Sequence, residues 1–99
     1  MTTPAKYVNE MLVGWMEDNQ PLVLAELRSN DVAATTAALL GWMARYAEAD
    51  LRAMQWMEAE TLSPDTTRED DACIDAFIAA VDQACGPWNP DRVGEPAPL

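Results

Sequence analysis

The sequence contains no histidine, and this absence removes several kinds of site at once. Serine or cysteine nucleophiles that rely on a histidine base cannot form, and the usual zinc sites lose their commonest nitrogen ligand. No glycine-rich phosphate loop occurs either. We therefore expect a protein that is not an enzyme and that holds no cofactor or metal. A metal-assisted hydrolase that uses carboxylates alone is the weakest alternative.

Positive charge is also scarce. Six lysines and arginines face 17 aspartates and glutamates, which gives a formal net charge of -11. Such a surface repels nucleic acid and anionic lipid and attracts basic protein surfaces. We expect no direct binding to nucleic acid or to a membrane, and a protein partner with a basic or groove-bearing surface.

Long apolar runs are missing, and cysteine is rare. No segment approaches the roughly 20 apolar residues that a membrane span needs, so the sequence predicts a cytoplasmic protein. Cys73 and Cys85 fall in one predicted helix, where twelve residues separate them by about 18 Å. A disulfide needs Cα atoms within about 7 Å, so these two thiols are expected to stay reduced.

What the sequence does contain is helical periodicity. It predicts an all-α fold, a small bundle of about four helices at roughly 4–18, 21–29, 31–60 and 66–85. These helices form one domain over residues 1–86, and an extended, flexible, proline-rich tail follows over 87–99. Thr3 before Pro4 is typical of a helix start, and Thr66 with Glu69 has the spacing of a capping box.

The segment 31–60 allows two interpretations. Its apolar face would hold Leu39, Trp42, Met43, Tyr46, Ala53, Met54 and Met57, with Gly41, Arg45, Glu48, Arg52 and Gln55 opposite. Asp50 then projects into the apolar face, and Leu51 points away from it. Either the helix is continuous, which the i,i+4 pair of Glu48 and Arg52 favours, or it breaks near 50 with Asp50 as a cap. We favour the continuous helix.

A Gly-Trp-Met triplet occurs twice, at 14–16 and at 41–43. Aligning 10–18 with 37–45 preserves only Leu12 with Leu39 and the triplet itself. The sequence therefore favours coincidence over an internal duplication, and it predicts that Trp15 and Trp42 belong to the core.

The third Trp-Met pair, Trp56 with Met57, lies towards the edge of the predicted apolar face. Four tryptophans and six methionines exceed what one small core needs, and both residue types are enriched in binding patches. We expect a partner-binding patch formed by Trp56 with Met54, Met57 or Trp88. Three helices of this length can leave an apolar stripe uncovered, so a homodimer is a further expectation.

The segment from Glu48 to Asp82 carries ten carboxylates and two arginines, a net charge of -8. Within it Asp71, Asp75 and Asp82 share one side of the last predicted helix. They either form a solvated rim to the patch or copy the phosphate spacing of a nucleic-acid strand. Short acidic helical chains of this kind are typical of mobile-element inhibitors and regulatory adaptors. We expect such a protein-interaction module, with a nucleic-acid mimic as the alternative.

Overall fold

The computed structural model describes residues 3–62, 64 and 67–87. It contains five α-helices: α1 Pro4–Asn19, α2 Pro21–Leu27, α3 Val32–Tyr46, α4 Glu48–Glu60 and α5 Arg68–Cys85. The described residues form no strand, so the predicted all-α class is confirmed. The helix count differs from the predicted four because the segment 31–60 forms two helices.

Side chains cap three of the helix starts. Thr3 accepts a hydrogen bond from the Lys6 amide (3.2 Å), and Asp31 accepts one from the Ala33 amide (2.9 Å). For α5 the predicted capping box was wrong by one residue, since the cap is Thr67, which accepts from the Asp70 amide at 3.1 Å and donates to the Asp70 carboxylate at 2.6 Å. Thr66 lies outside the described residues. Gly86 ends α5 with φ 63°, a conformation that glycine adopts without strain.

The helix expected to run through residue 50 breaks at Ala47, so the continuous interpretation was wrong. Ala47 has φ -137° and ψ 36°, and it separates α3 from α4. The break changes which side of the following helix faces the core: Leu51 becomes fully buried and Asp50 exposed. Asp50 is therefore not a cap, and the misplaced carboxylate that a continuous helix would carry does not arise.

The two Gly-Trp-Met triplets occupy equivalent places in the fold. Asn9 donates to Thr36 at 2.6 Å and the Trp15 and Trp42 rings lie 6.5 Å apart, so α1 and α3 run in the same direction. Each contact joins residues 27 positions apart. The break after α1, at Gln20 (φ -143°, ψ 60°), resembles the break at Ala47, also 27 positions on. The alignment missed this correspondence because the equivalent segments share few residue types.

The core follows the same spacing. Leu12 and Leu39, Met16 and Met43, and Leu24 and Leu51 are buried pairs separated by 27 residues. Helix α5 packs against α1, α3 and α4. Its buried side chains are Cys73, Ile74, Phe77, Val81 and Cys85. Trp42 is buried as predicted, and Trp15 is half-buried against it.

The predicted C-terminal tail and Trp88 lie largely or wholly outside the described residues. Of the tail predicted at 87–99, only Pro87 is described, and Trp88 lies outside the described residues. Among the helices that are described, none combines the length and the apolar character needed to cross a bilayer.

The break at Ala47 predicts the stabilities of two α4 variants. Leu51→Ala empties a fully buried site, so it should lower the free energy of unfolding by about 2–5 kcal/mol. Met57→Ala changes a side chain that is 65% exposed, and it should change this free energy by less than about 0.5 kcal/mol. Urea unfolding followed by circular dichroism measures both. A continuous helix would give the reverse order.

Candidate functional site

The side of α4 that faces away from the bundle forms a nearly apolar strip. Ala49, Ala53, Trp56, Met57 and Glu60 are all exposed, and their spacing of three or four residues places them on one side of the helix. We call these five residues the α4 outer face. The sequence had predicted Ala53, Met54 and Met57 on the apolar, inward side; Ala53 and Met57 instead point outward, and Met54 is half-buried. The break at Ala47 is the reason for the change.

Trp56 and Met57 leave much of their apolar area in solvent. Trp56 is 63% exposed and Met57 is 65% exposed, although both residue types are usually covered in a folded protein. Leu22, on α2, is comparably exposed at 71%. Its neighbours in the sequence are Pro21 and the buried Val23, so it is not adjacent to a second large exposed side chain as Trp56 is. Adjacent Trp and Met side chains make the α4 outer face the stronger candidate for a binding surface.

A polar network joins α4 to the end of α5. The Arg52 guanidinium donates to Asp82 Oδ1 at 3.0 Å, to Gln55 Oε1 at 3.2 Å and to the Gly86 carbonyl. Gln55 also donates to Asp82 Oδ1, at 2.6 Å. Gly86 caps α5, so the Arg52 cation lies at the helix end where the macrodipole favours positive charge. The sequence had placed Glu48, Arg52 and Gln55 on the solvent side, but all three are buried.

Through this network α4, which carries Trp56 and Met57, contacts Asp82, one of the three aspartates predicted to bind a partner. Arg52 and Trp56 are four positions apart and therefore adjacent on the α4 surface. Asp82 binds Arg52, and it is seven positions from Asp75 on the same side of α5. Trp56 therefore lies one helical turn along α4 from the arginine that binds Asp82.

The three aspartates predicted on one side of α5, which we call its acidic edge, have different surroundings. Asp75 is exposed, and Asp82, also exposed, is paired with Arg52. Asp71 is half-buried, and its Oδ1 has no hydrogen-bond partner among the described residues. Together they do not form a row of three equivalent free charges.

A second connection lies at the other end of α4. The Tyr7 hydroxyl of α1 donates to the Glu58 carboxylate. Burial of the phenol, followed by this hydrogen bond, raises the pKa of Tyr7 above its ordinary value. Tyr7 and Glu58 lie 51 positions apart, so no local spacing could have predicted the pair. The same holds for Arg52 with Asp82.

Within residues 3–62, 64 and 67–87, no group of three Cys, Asp or Glu side chains lies close enough together to hold a metal ion. The candidate site consists of an apolar strip, a buried cation and an acidic edge.

Searches against protein-family models, curated protein sequences and solved structures found no match to this chain.

Removal of the Arg52 side chain should destabilise the bundle. Arg52→Met keeps the aliphatic packing but leaves the Gly86 carbonyl and Gln55 without their donor, so the free energy of unfolding should fall by about 2–3 kcal/mol. Arg28→Met, at an exposed arginine, is the matched control and should cost less than about 0.5 kcal/mol. Equal effects of the two variants in urea unfolding would contradict the network's structural role.

Tyr7→Phe should show a stability difference that depends on pH. A phenol whose pKa is raised by folding contributes its full stability below its unfolded pKa of about 10, and this stability is lost progressively as the pH rises from there towards the folded value. At pH 7 the variant should be less stable than the wild type by about 1 kcal/mol, the usual net value of one hydrogen bond.

The measurement is urea unfolding of both proteins at neutral pH and at about pH 11, above the ordinary tyrosine pKa. The difference between the two proteins should shrink at the higher pH. A difference of the same size at both pH values would show that Tyr7 does not titrate as its surroundings indicate.

Proposed function

We propose that this chain is a non-enzymatic protein-interaction module, a small acidic inhibitor or regulatory adaptor that binds a protein partner through the α4 outer face. The observation that carries the proposal is the exposure of Trp56 and Met57, 63% and 65%, side by side on that face. Binding energy in protein interfaces concentrates in a few large side chains, and tryptophan is among the commonest of them. Methionine adapts its shape to irregular surfaces.

The charges around these two residues indicate the chemistry of the partner. Glu60 belongs to the face, Asp50 is exposed between Ala49 and Ala53, and Asp75 and Asp82 are exposed on α5, where Asp82 pairs with Arg52 of α4. Carboxylates at the rim of an apolar centre attract a basic surface and raise the rate of encounter. A partner with an apolar pocket bordered by lysines or arginines fits this pattern.

The nucleic-acid mimic is the second candidate, and the geometry supports it less well. Mimicry requires carboxylates that are free to take the place of phosphates, but Asp82 is already paired with Arg52 and Gln55. Asp75, exposed on the same edge, is the aspartate that best meets the requirement.

Affinity capture with matched variants tests the proposal. The wild-type protein, Trp56→Ala and Leu22→Ala are immobilised and exposed to lysate of the source organism. A partner retained by the wild type and by Leu22→Ala should be lost from Trp56→Ala, with affinity for the purified partner reduced about thirtyfold or more, because an interface anchor contributes about 2 kcal/mol or more. Leu22 is the control because it is an equally exposed large apolar residue on another helix.

A partner bound equally well by all three proteins would show that the α4 outer face is not the binding site. Circular dichroism of Trp56→Ala confirms that the variant still folds, which is expected because an exposed side chain contributes little to the core.

The salt dependence of the same complex separates the two candidate functions. Binding through the Trp56 anchor should weaken less than about tenfold between low and moderate salt, since apolar contacts are not screened. Binding by mimicry should fall about a thousandfold or more over that range, as phosphate-directed contacts do. Asp75→Asn should leave the first kind of complex nearly unchanged and weaken the second. Isothermal titration calorimetry at several salt concentrations measures each case.

A further inference from the structure

The Asp82 carboxylate, near the end of α5, bonds to the rest of the bundle through one of its two oxygens. Its Oδ1 accepts hydrogen bonds from the Arg52 guanidinium at 3.0 Å and from the Gln55 side chain at 2.6 Å. Both bonds end on Oδ1, and the Asp82 side chain is nevertheless 59% exposed. Oδ2 can therefore accept a hydrogen bond from a ligand without displacing either donor.

Arg52 and Gln55 hold this carboxylate in one orientation. Both residues are only 7% exposed, and Arg52 is fixed further by its hydrogen bond to the Gly86 carbonyl. An acceptor whose position is already fixed loses little conformational freedom when a ligand binds to it. Asp82 is thus better prepared for a ligand than a surface carboxylate that no other side chain holds.

Arg52 does not fully neutralise Asp82, because two carboxylates share its charge. Its Nε lies 3.8 Å from Glu48 Oε1, and its Nη1 lies 3.0 Å from Asp82 Oδ1. The chain as a whole has a formal net charge of -11. The potential around Oδ2 therefore favours a cationic ligand over a neutral one.

Trp56 provides an exposed aromatic surface one turn along α4 from Arg52. Residues four positions apart on a helix have Cβ atoms about 5–6 Å apart, and Trp56 is 63% exposed. Tryptophan attracts a cation more strongly than the other aromatic residues do. Because Arg52 adjoins Trp56 on α4 and binds Asp82 on α5, a long cationic side chain can lie along the indole ring and reach Oδ2.

Arginine meets both requirements better than lysine. Its planar guanidinium stacks on an aromatic face and donates hydrogen bonds from its edge at the same time. The lysine ammonium is a compact charge that holds its water more strongly. An aromatic surface and an acceptor oxygen that are used together therefore select arginine.

We propose that Trp56 and Asp82 form a subsite for an arginine side chain of the protein partner, in which the guanidinium stacks on the indole ring and donates to Asp82 Oδ2. The inference rests on the proposed function, since it names a group of the same partner that binds the α4 outer face. It gives Asp82 a second role besides its contact with Arg52: selection of partners that carry an arginine at this place.

Titration of the isolated full chain with Nα-acetyl-arginine amide, followed by nuclear magnetic resonance, tests the subsite. The probe should shift the Trp56 indole N–H and the Asp82 backbone amide with one dissociation constant in the millimolar range, as expected of a small ligand with two contacts. Nα-acetyl-citrulline amide has nearly the same shape without the charge, and it should bind at least about tenfold more weakly. Nα-acetyl-lysine amide should bind at least about threefold more weakly than the arginine probe.

Asp82→Asn isolates the contribution of Oδ2. Arg52 and Gln55 are both donors to Oδ1, so they retain the single oxygen of asparagine, and the NH2 group that replaces Oδ2 cannot accept from arginine. Binding of the arginine probe should weaken about fivefold. Glu26→Gln is the matched control, since it removes the same charge from an exposed side chain of α2, a helix that packs against α1 and α3. It should weaken binding less than about twofold.

Three results would each overturn the proposal: no saturable shift at Trp56 up to about 100 mM arginine probe, equal binding of the arginine and citrulline probes, or equal effects of Asp82→Asn and Glu26→Gln. The comparison of arginine with citrulline uses the wild type alone, so it decides the question even if Asp82→Asn unfolds. Any of these results, found together with a partner that Trp56→Ala fails to capture, would remove the arginine subsite and leave the proposed function standing.

Discussion

The break at Ala47 is the constraint on which the rest of the structure depends. One residue with φ -137° separates α3 from α4 and sets which side of α4 faces the core. Leu51 then enters the core, and Arg52 reaches the end of α5, where it binds Asp82 and the Gly86 carbonyl. The same rotation exposes Trp56 and Met57. Core packing, the link to α5 and the candidate binding surface thus share one cause.

The described surface carries two apolar regions that differ in the charge of the residues around them. The α4 outer face is bordered by carboxylates, while an open groove along α3, where this helix meets α1 and α5, is lined by uncharged residues alone. Carboxylates around the first region disfavour contact with another acidic surface there.

Much of the fold could be predicted from the sequence, because its signals are local. Thr3 with Pro4, the cap at Asp31 and Gly86 after Cys85 each mark a helix end through neighbouring residues. The side of α4 that faces the core could not be predicted, because Ala47 is not a helix-breaking residue type and the Glu48–Arg52 pair also suits a continuous helix. Residue type and edge position indicate Trp56 as a binding residue, whereas its exposure follows from a break that the sequence does not favour. The pairs Arg52–Asp82 and Tyr7–Glu58 join residues 30 and 51 positions apart, and only tertiary packing brings them together.

Methionine oxidation of the isolated protein tests the phase of α4 most directly. Under dilute peroxide, with mass spectrometry of the peptides, Met57 should oxidise about as fast as in the unfolded chain, because its side chain is 65% exposed. Met16 and Met43, both at 0% exposure, should be protected and should oxidise at least about tenfold more slowly. If Met57 were protected to the same degree as Met43, α4 would face the core with its other side, and the proposed binding surface would not exist.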